Sequence, residues 1–450
     1  MLFKDFKTLE RLLGPVKISN LYHFKPFDKF SIDSRTIEKG QGFVAVGGKH
    51  CDGHDFILKA IKRGASFIVA SKDLGTKYKI PFFIVEDTHK ALGKIVRYIR
   101  ERKAPFVYGI TGSIGKTTTK EMLSFLLGGK FKVLKSYDTE NNFLGVSKAL
   151  LSLDDEEVVT LELGTSYPGE IEALSRISSP DAGIITFIKP AHLQGLADLS
   201  GVFREKTSIL RLNPKIKAVL NNDDPYLRKV KFKGKTLWFG RNKQNDLYFR
   251  LSKQNAKESL FLVQDKYELV MPTQFCGFVT NAMAAIAGAY ILGGSFKEYV
   301  DKMNGFRGFG FLRMQMQSAG RFFIINDAYN ANPYSFVQAL KVVEKYSLPK
   351  IAVVGDMLEL GRRSIYYHRG LASHIIKAKF DYCLAMGEFT PHLIEKLKSL
   401  GYRQAFHFLT HEDIGRFIKR KVKKRHLIFL KGSRKMELEK VMEHLLIKGV

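Results

Sequence analysis

Residues 111–120 read TGSIGKTTTK and follow an apolar run, Phe106-Val107-Tyr108-Gly109-Ile110. Such a run, broken by glycines and resumed as a polar-then-apolar pattern, folds as a buried strand, a tight loop and the first turns of a helix. Backbone N–H groups in a loop of this kind point inward and make a nest for phosphate oxygens. Lys116 has the reach for the outer phosphates, and the Thr117 hydroxyl suits Mg²⁺. Gly112, Ser113, Gly115, Lys116, Thr117 and Thr118 are therefore candidate nucleotide-binding residues. The spacing departs from the common phosphate loop at one place. Ile110 stands where a glycine is usual, and Gly109 comes one step early.

A chain of 450 residues is too long for one core. Three α/β blocks are legible, with boundaries placed at 1–86, 87–304 and 305–450. The first has strand-like runs at 43–46, 67–70 and 82–85. The second opens on the phosphate loop, and its strands at 158–161, 183–186 and 218–220 are nearly continuous in apolar residues. That pattern predicts a parallel sheet covered on both faces. The third alternates strands at 322–325, 351–354, 382–385 and 427–430 with helices, as a doubly wound sheet of Rossmann type does. The fold class expected is α/β in three domains: a small N-terminal domain, a central phosphate-loop domain and a Rossmann-like C-terminal domain. A polar helix near 89–102 reads as a connector between the first two.

No stretch is apolar enough for long enough to span a bilayer; the run 282–292 reads as a buried helix. Three widely spaced cysteines make neither a disulfide framework nor a metal site, and the first residues mix charge into their apolar positions without a cleavage site. Both point to a cytoplasmic protein. The formal net charge is +29. It raises a nucleic-acid-associated ATPase as a rival reading. The positive residues are spread along the chain, with one dense run at 416–425, and they lack the interleaved aromatics of single-strand binders. The reading preferred is a basic surface without nucleic acid.

Ligands of doubly wound sheets sit beyond the carboxyl ends of strands, so the polar residues there are the ones to examine. Glu162 ends a central strand and is placed to serve Mg²⁺, unless it merely faces solvent. His192 follows the next strand. Asn141-Asn142 lies in a loop, where asparagine pairs usually mark turns, with amide donation to a substrate as the other reading. Asp327 and Tyr329-Asn330-Ala331-Asn332-Pro333 end a C-terminal strand, Arg313 precedes it, and Gly355–Gly361 and Lys431–Arg434 end two others. By composition alone Lys206 is a surface lysine.

Taken together, SIDSR (31–35), DGH (52–54), TGSIGKTTTKEM, ELG (162–164), YNANP (329–333) and GDMLELG (355–361, with His368 downstream) resemble the Mur ligases, ATP-dependent amino-acid ligases of peptidoglycan synthesis. The likeness spans nearly the whole chain and is greatest to the D-alanyl-D-alanine-adding branch. In that family a small residue two places before the first Thr of the loop is usual, which fits Gly109.

The resemblance implies ATP as cosubstrate with two Mg²⁺ ions. It implies a carboxylate of a UDP-N-acetylmuramoyl tripeptide attacking the γ-phosphate, and D-alanyl-D-alanine attacking the acyl phosphate so formed. It implies a carbamylated Lys206 which, with His192, Glu162 and Thr117, serves the metals. Lys116, Lys206, His192 and Asn142 would be the catalytic set. Asn281, Arg313 and Asp327 would join the loop in holding ATP. Ser34, Arg35, Tyr329, Asn330 and Asn332 would face the substrates. The enzyme would act as a monomer without a membrane segment. The chain departs from the family where a His-Asn pair usually precedes the helix near Asn281; here it reads Phe275-Cys276-Gly277-Phe278-Val279-Thr280-Asn281. Rival amide ligases on this pattern are the folylpolyglutamate and diaminopimelate-adding types.

Overall fold

The apolar run before the phosphate loop is strand Phe106–Thr111, buried from Val107 onward. It lies between strands Val158–Glu162 and Ala182–Ile185, parallel to both. The computed structural model describes residues 2–48, 51–73, 78–137, 140–255, 257–308 and 312–446. From Phe106–Thr111 the chain first builds outward on one side, through Val133–Lys135 and Val158–Glu162. It then crosses over and builds on the other, through Ala182–Ile185, Lys217–Asn221 and Thr236–Gly240. The first strand is thus a topological switch point, and a crevice opens above its carboxyl end. The glycine-rich loop sits in that crevice.

The central sheet has nine strands and is not wholly parallel. Leu247–Gln254 pairs parallel with its neighbour, and Glu258–Val263 and Tyr267–Pro272 then extend the sheet as an antiparallel meander. The meander leads into helix Val279–Tyr290, which is buried along nearly its whole length and packs on the helix that follows the phosphate loop.

Helix Thr88–Lys103 corrects the expectation of a polar connector. Ala91, Leu92, Ile95, Val96 and Ile99 make one buried stripe, and the helix packs on helices Phe143–Leu151 and Glu170–Ser178. Full burial of each large apolar side chain contributes about 1.5–3 kcal/mol. The stripe therefore docks the helix on the central unit although its outer face is charged.

The N-terminal sheet has five strands, parallel except for the edge strand Lys17–Ser19. The C-terminal sheet has six, parallel except for the edge strand Gln315–Ala319. Phe275 and Phe278 pack against both the central and the C-terminal cores, and their 3₁₀ turn rests on helix Pro333–Glu344. The C-terminal sheet is thereby held with the carboxyl ends of its strands facing the central crevice. Among the described residues no helix is long and apolar enough to cross a membrane.

Candidate active site

Gly115 caps helix Lys116–Leu127 with φ 81°, a left-handed conformation that costs little without a Cβ. A Cβ there would also lie 2.0 Å from Asn281 Nδ2. Asn281 donates from that nitrogen to Gly115 O (3.1 Å) and Thr119 Oγ1 (3.0 Å), so it supports the loop from behind. Gly109 is a packing glycine inside the strand. Its Cβ would meet Ile209 at 2.8 Å and Leu163 at 2.9 Å. The unusual spacing seen in the sequence thus reflects a crowded strand, and the loop itself uses Gly112 and Gly115. Ser113 bridges to Lys189, donating to its carbonyl at 2.8 Å and accepting from its N–H at 2.9 Å. Lys116 Nζ lies 3.1 Å from Gly112 O and 4.0 Å from Glu162 Oε1. Burial draws its amine below the usual lysine range.

Glu162 is buried at the end of its strand, which decides against a solvent-facing residue. Its Oε2 accepts from the Thr117 hydroxyl at 2.5 Å and its Oε1 from Asn141 Nδ2 at 2.8 Å. Its backbone N–H donates to Ser136 Oγ, while Ser136 O accepts from the buried Lys120 at 2.5 Å. Lys206, on helix Leu199–Thr207, has no exposed surface, and its Nζ has no hydrogen-bond partner. Burial, and then the Lys116 charge, push its amine well below the ordinary lysine value. The surface lysine that composition suggests is therefore a buried amine. Val202, Lys206 and Ile209 share one buried face, so the helical spacing carried a signal that composition hid. His192 stands at φ 54° and its ring is mostly buried, which lowers its pKa and favours the neutral imidazole.

The C-terminal unit closes over this floor. Arg313 Nη2 donates to Thr117 Oγ1 at 2.9 Å, and its guanidinium lies 4.1 Å from the centre of the Tyr329 ring. Asn332 caps helix Pro333–Glu344 and places Nδ2 3.4 Å from Ser113 O. Asp327 accepts from Lys431 Nζ at 2.5 Å and from Met314 N–H at 3.1 Å. Asn330 bonds within its own turn through its side chain and accepts from Lys431 through its carbonyl. The two units enclose a cavity of about 930 Å³ that reaches from the phosphate loop and Glu162 to Lys431, Ser433 and Arg434. Phe278, Val279, Ala339 and Val342 give its wall an apolar part, and Lys116, Arg313 and Lys431 a charged one. Such a space fits a nucleotide with its base against the apolar part.

Three family patterns match the chain in tandem: Mur ligase family, catalytic domain, at 27–100; Mur ligase middle domain at 110–289; and Mur ligase, glutamate ligase domain, at 312–434. The UDP-N-acetylmuramoyl-tripeptide--D-alanyl-D-alanine ligase of Bacillus subtilis is 30% identical over 453 residues, covering 99% of each chain. The chain belongs to the Mur ligase family. Among solved structures, MurF from Acinetobacter baumannii superposes with a TM-score of 0.88 at 27% identity, over 99% of both chains. MurF ligase from Thermotoga maritima, solved in complex with ADP, superposes at 0.82 with 28% identity, over 93% of this chain and 97% of that one.

In this Mur ligase the residues singled out from the sequence fall into two places. Gly112, Ser113, Gly115 to Thr118, Glu162, His192, Asn281, Arg313, Asp327, Tyr329, Asn330 and Asn332 lie together around the large cavity or its loop, with Lys206 buried beneath it. Asn142 does not join them. It caps helix Phe143–Leu151 by accepting from Gly145 N–H, and it lines a smaller cavity of about 370 Å³ with Ile32, Tyr137 and Lys148. Ser34 is buried; Arg35 is exposed and bound to Asp33 at 2.8 Å. Of the Asn141-Asn142 pair, only Asn142 was carried into the catalytic set, yet Asn141 is the one that reaches Glu162. Sequence reasoning passed over Glu359, Gln338 and Lys431 as individual site residues.

Proposed function

We propose that this Mur ligase is an ADP-forming enzyme that joins D-alanyl-D-alanine to a UDP-N-acetylmuramoyl tripeptide in peptidoglycan precursor synthesis. The observation that carries the reading is the convergence of the phosphate loop, Glu162 and His192 on one cavity closed by Arg313, with a buried, unpartnered Lys206 within reach of the Lys116 and Glu162 charges. Full-length likeness to ligases of that name supports the substrates. The domain division at 86/87 and 304/305, the cytoplasmic location and action as a monomer belong to the same proposal.

The site residues fit Mg²⁺. Thr117 and Glu162 offer hard oxygen donors side by side. Among the described residues no three His, Cys, Asp or Glu side chains form a ready cage, so substrate phosphates would complete the coordination. Lys206 fits carbamylation. Its burial favours the unprotonated amine, the form that attacks CO₂, giving an N-carboxylate and releasing one proton. The product would turn an unpaired amine into an anionic oxygen donor, which with His192 and Glu162 suits a second ion.

The loop N–H groups and Lys116 would hold the β- and γ-phosphates of ATP. Arg313, brought by the C-terminal unit, would move from Thr117 onto the γ-phosphate. The tripeptide carboxylate would enter past the smaller cavity, where Asn142 shapes the wall and Ser34 and Arg35 hold the uridine diphosphate end. Mg²⁺, when bound, offsets the repulsion between carboxylate and phosphate. In-line attack gives the acyl phosphate and ADP. The D-alanyl-D-alanine amine, held beside Tyr329, Asn330 and Asn332, then takes the acyl group and inorganic phosphate leaves. Phosphate release from ATP with UDP-N-acetylmuramoyl tripeptide, with and without D-alanyl-D-alanine, tests the reading. Turnover requires both; equal turnover with a single amino acid in place of the dipeptide would assign another acceptor.

A further inference from the structure

Glu359 has no part in the chemistry above, yet its carboxylate Oε2 lies 2.6 Å from His192 Nδ1. The two residues come from different units. His192 follows a central strand, and Glu359 lies in the loop after the C-terminal strand Lys350–Gly355. The Glu359 carbonyl also accepts from Gln194 N–H at 3.1 Å, so loop meets loop through backbone as well as side chain. Both residues adopt left-handed backbone, φ 54° at His192 and φ 63° at Glu359. Residues with a Cβ take that conformation at a cost, and such pairs concentrate where geometry serves function.

The Glu359 loop is held from three directions. Met357 N–H donates to the buried His368 Nε2 and Leu358 N–H donates to Ser433 Oγ, each at 2.9 Å. The Asp356 carboxylate takes the N–H groups of Glu388, Phe389 and Thr390. A loop so anchored has no local use for a half-exposed glutamate directed at the neighbouring unit. Its effect falls on His192. A carboxylate at Nδ1 keeps the proton on that nitrogen and leaves the Nε2 lone pair for a ligand. The present approach has the distance of a hydrogen bond without its best angle, as contacts at reacting sites often do before ligands bind.

We infer that Glu359 is a positioning residue that orients His192 across the closing interface, so that the His192 part of the metal site is complete only when the C-terminal unit is docked. This rests on the reading of His192 as a group that serves a metal. A carboxylate behind a ligating histidine typically changes metal affinity 10- to 100-fold.

The test is a double-mutant cycle read by Mn²⁺ binding to the full chain in the presence of ADP, followed by electron paramagnetic resonance. Glu359→Ala and His192→Ala should each weaken Mn²⁺ by about 10- to 100-fold, and the double variant should be no weaker than His192→Ala. Glu359→Gln, which keeps an acceptor at the same reach, should lose less than Glu359→Ala. Wild-type Mn²⁺ affinity in Glu359→Ala, or losses that multiply in the double variant, would overturn the assignment. Phosphate release measured on the wild type separates the two readings. No turnover with the tripeptide and D-alanyl-D-alanine removes the proposed reaction, whereas a non-additive Mn²⁺ cycle stands without it.

Discussion

Asn141 Nδ2 donates to Glu162 Oε1 at 2.8 Å while Thr117 donates to the other oxygen of the same carboxylate. A carboxylate gripped at both ends has little freedom to rotate, which suits a group that must meet an ion in one geometry. Asn141→Ala frees one end and leaves the strand in place. The Mg²⁺ concentration for half-maximal ATP turnover should rise about tenfold, with maximal rate much less affected. Mg²⁺ titrations of phosphate release check this; an unchanged Mg²⁺ requirement would mean that Thr117 alone orients Glu162.

Lys206→Met keeps the volume of the side chain and removes an amine that has no partner in its burial. Since a buried polar group without a hydrogen bond costs about 1–3 kcal/mol, the variant should unfold at the same temperature as wild type or above it. Ligation should fall by more than about 100-fold, since a carbamate oxygen that holds a metal would support several kcal/mol of transition-state charge stabilisation. ADP binding by calorimetry should persist. Ligation near the wild-type rate would exclude the carbamate.

Asp33 is held at a pKa of about 2, first by its hydrogen bond to the Arg35 side chain. A carboxyl whose pKa is lower folded than unfolded stabilises the fold above its unfolded value, near 4, and loses that contribution as pH falls toward 2. With Arg35 largely exposed, solvent screening reduces the effect to about 1 kcal/mol. Asp33→Asn should therefore be less stable than wild type at pH 6 and converge with it as pH falls through about 2. Urea unfolding across that window gives the comparison.

Cys383 is buried, and burial pushes its thiol up to about 12. Cys51 is exposed and Cys276 partly so. Since the thiolate is the reactive form, a disulfide reagent at pH 8 should titrate Cys51 quickly, Cys276 more slowly and Cys383 only after denaturation. Mass mapping of labelled peptides distinguishes the three.

The three α/β blocks and the phosphate loop were legible because strand burial and loop chemistry are local: Phe106 to Thr118 carries strand, nest and helix start in thirteen consecutive residues. Helix Thr88–Lys103 was misjudged because its polar face outweighs its apolar stripe in composition, although the i, i+4 spacing of Ala91, Ile95 and Ile99 marks the buried side. The antiparallel meander at 247–272 alternates in burial in its last two strands, is exposed along most of its first, and carries no motif. Of the two adjacent asparagines, Asn141 and Asn142, one grips Glu162 and the other caps a helix; only the direction of the chain at that bend separates them. The meeting of His192 with Glu359 joins positions far apart in sequence, which no spacing reveals.

Asn281 stands 166 residues after Gly115, the residue whose carbonyl it holds. During synthesis the ribosome therefore finishes the loop long before it makes the side chain that shapes it. A nascent chain that stops in the meander has the phosphate-binding sequence without its brace. The nucleotide site is thus a late product of translation, and the emerging enzyme gains its grip on ATP only after helix Val279–Tyr290 has been made.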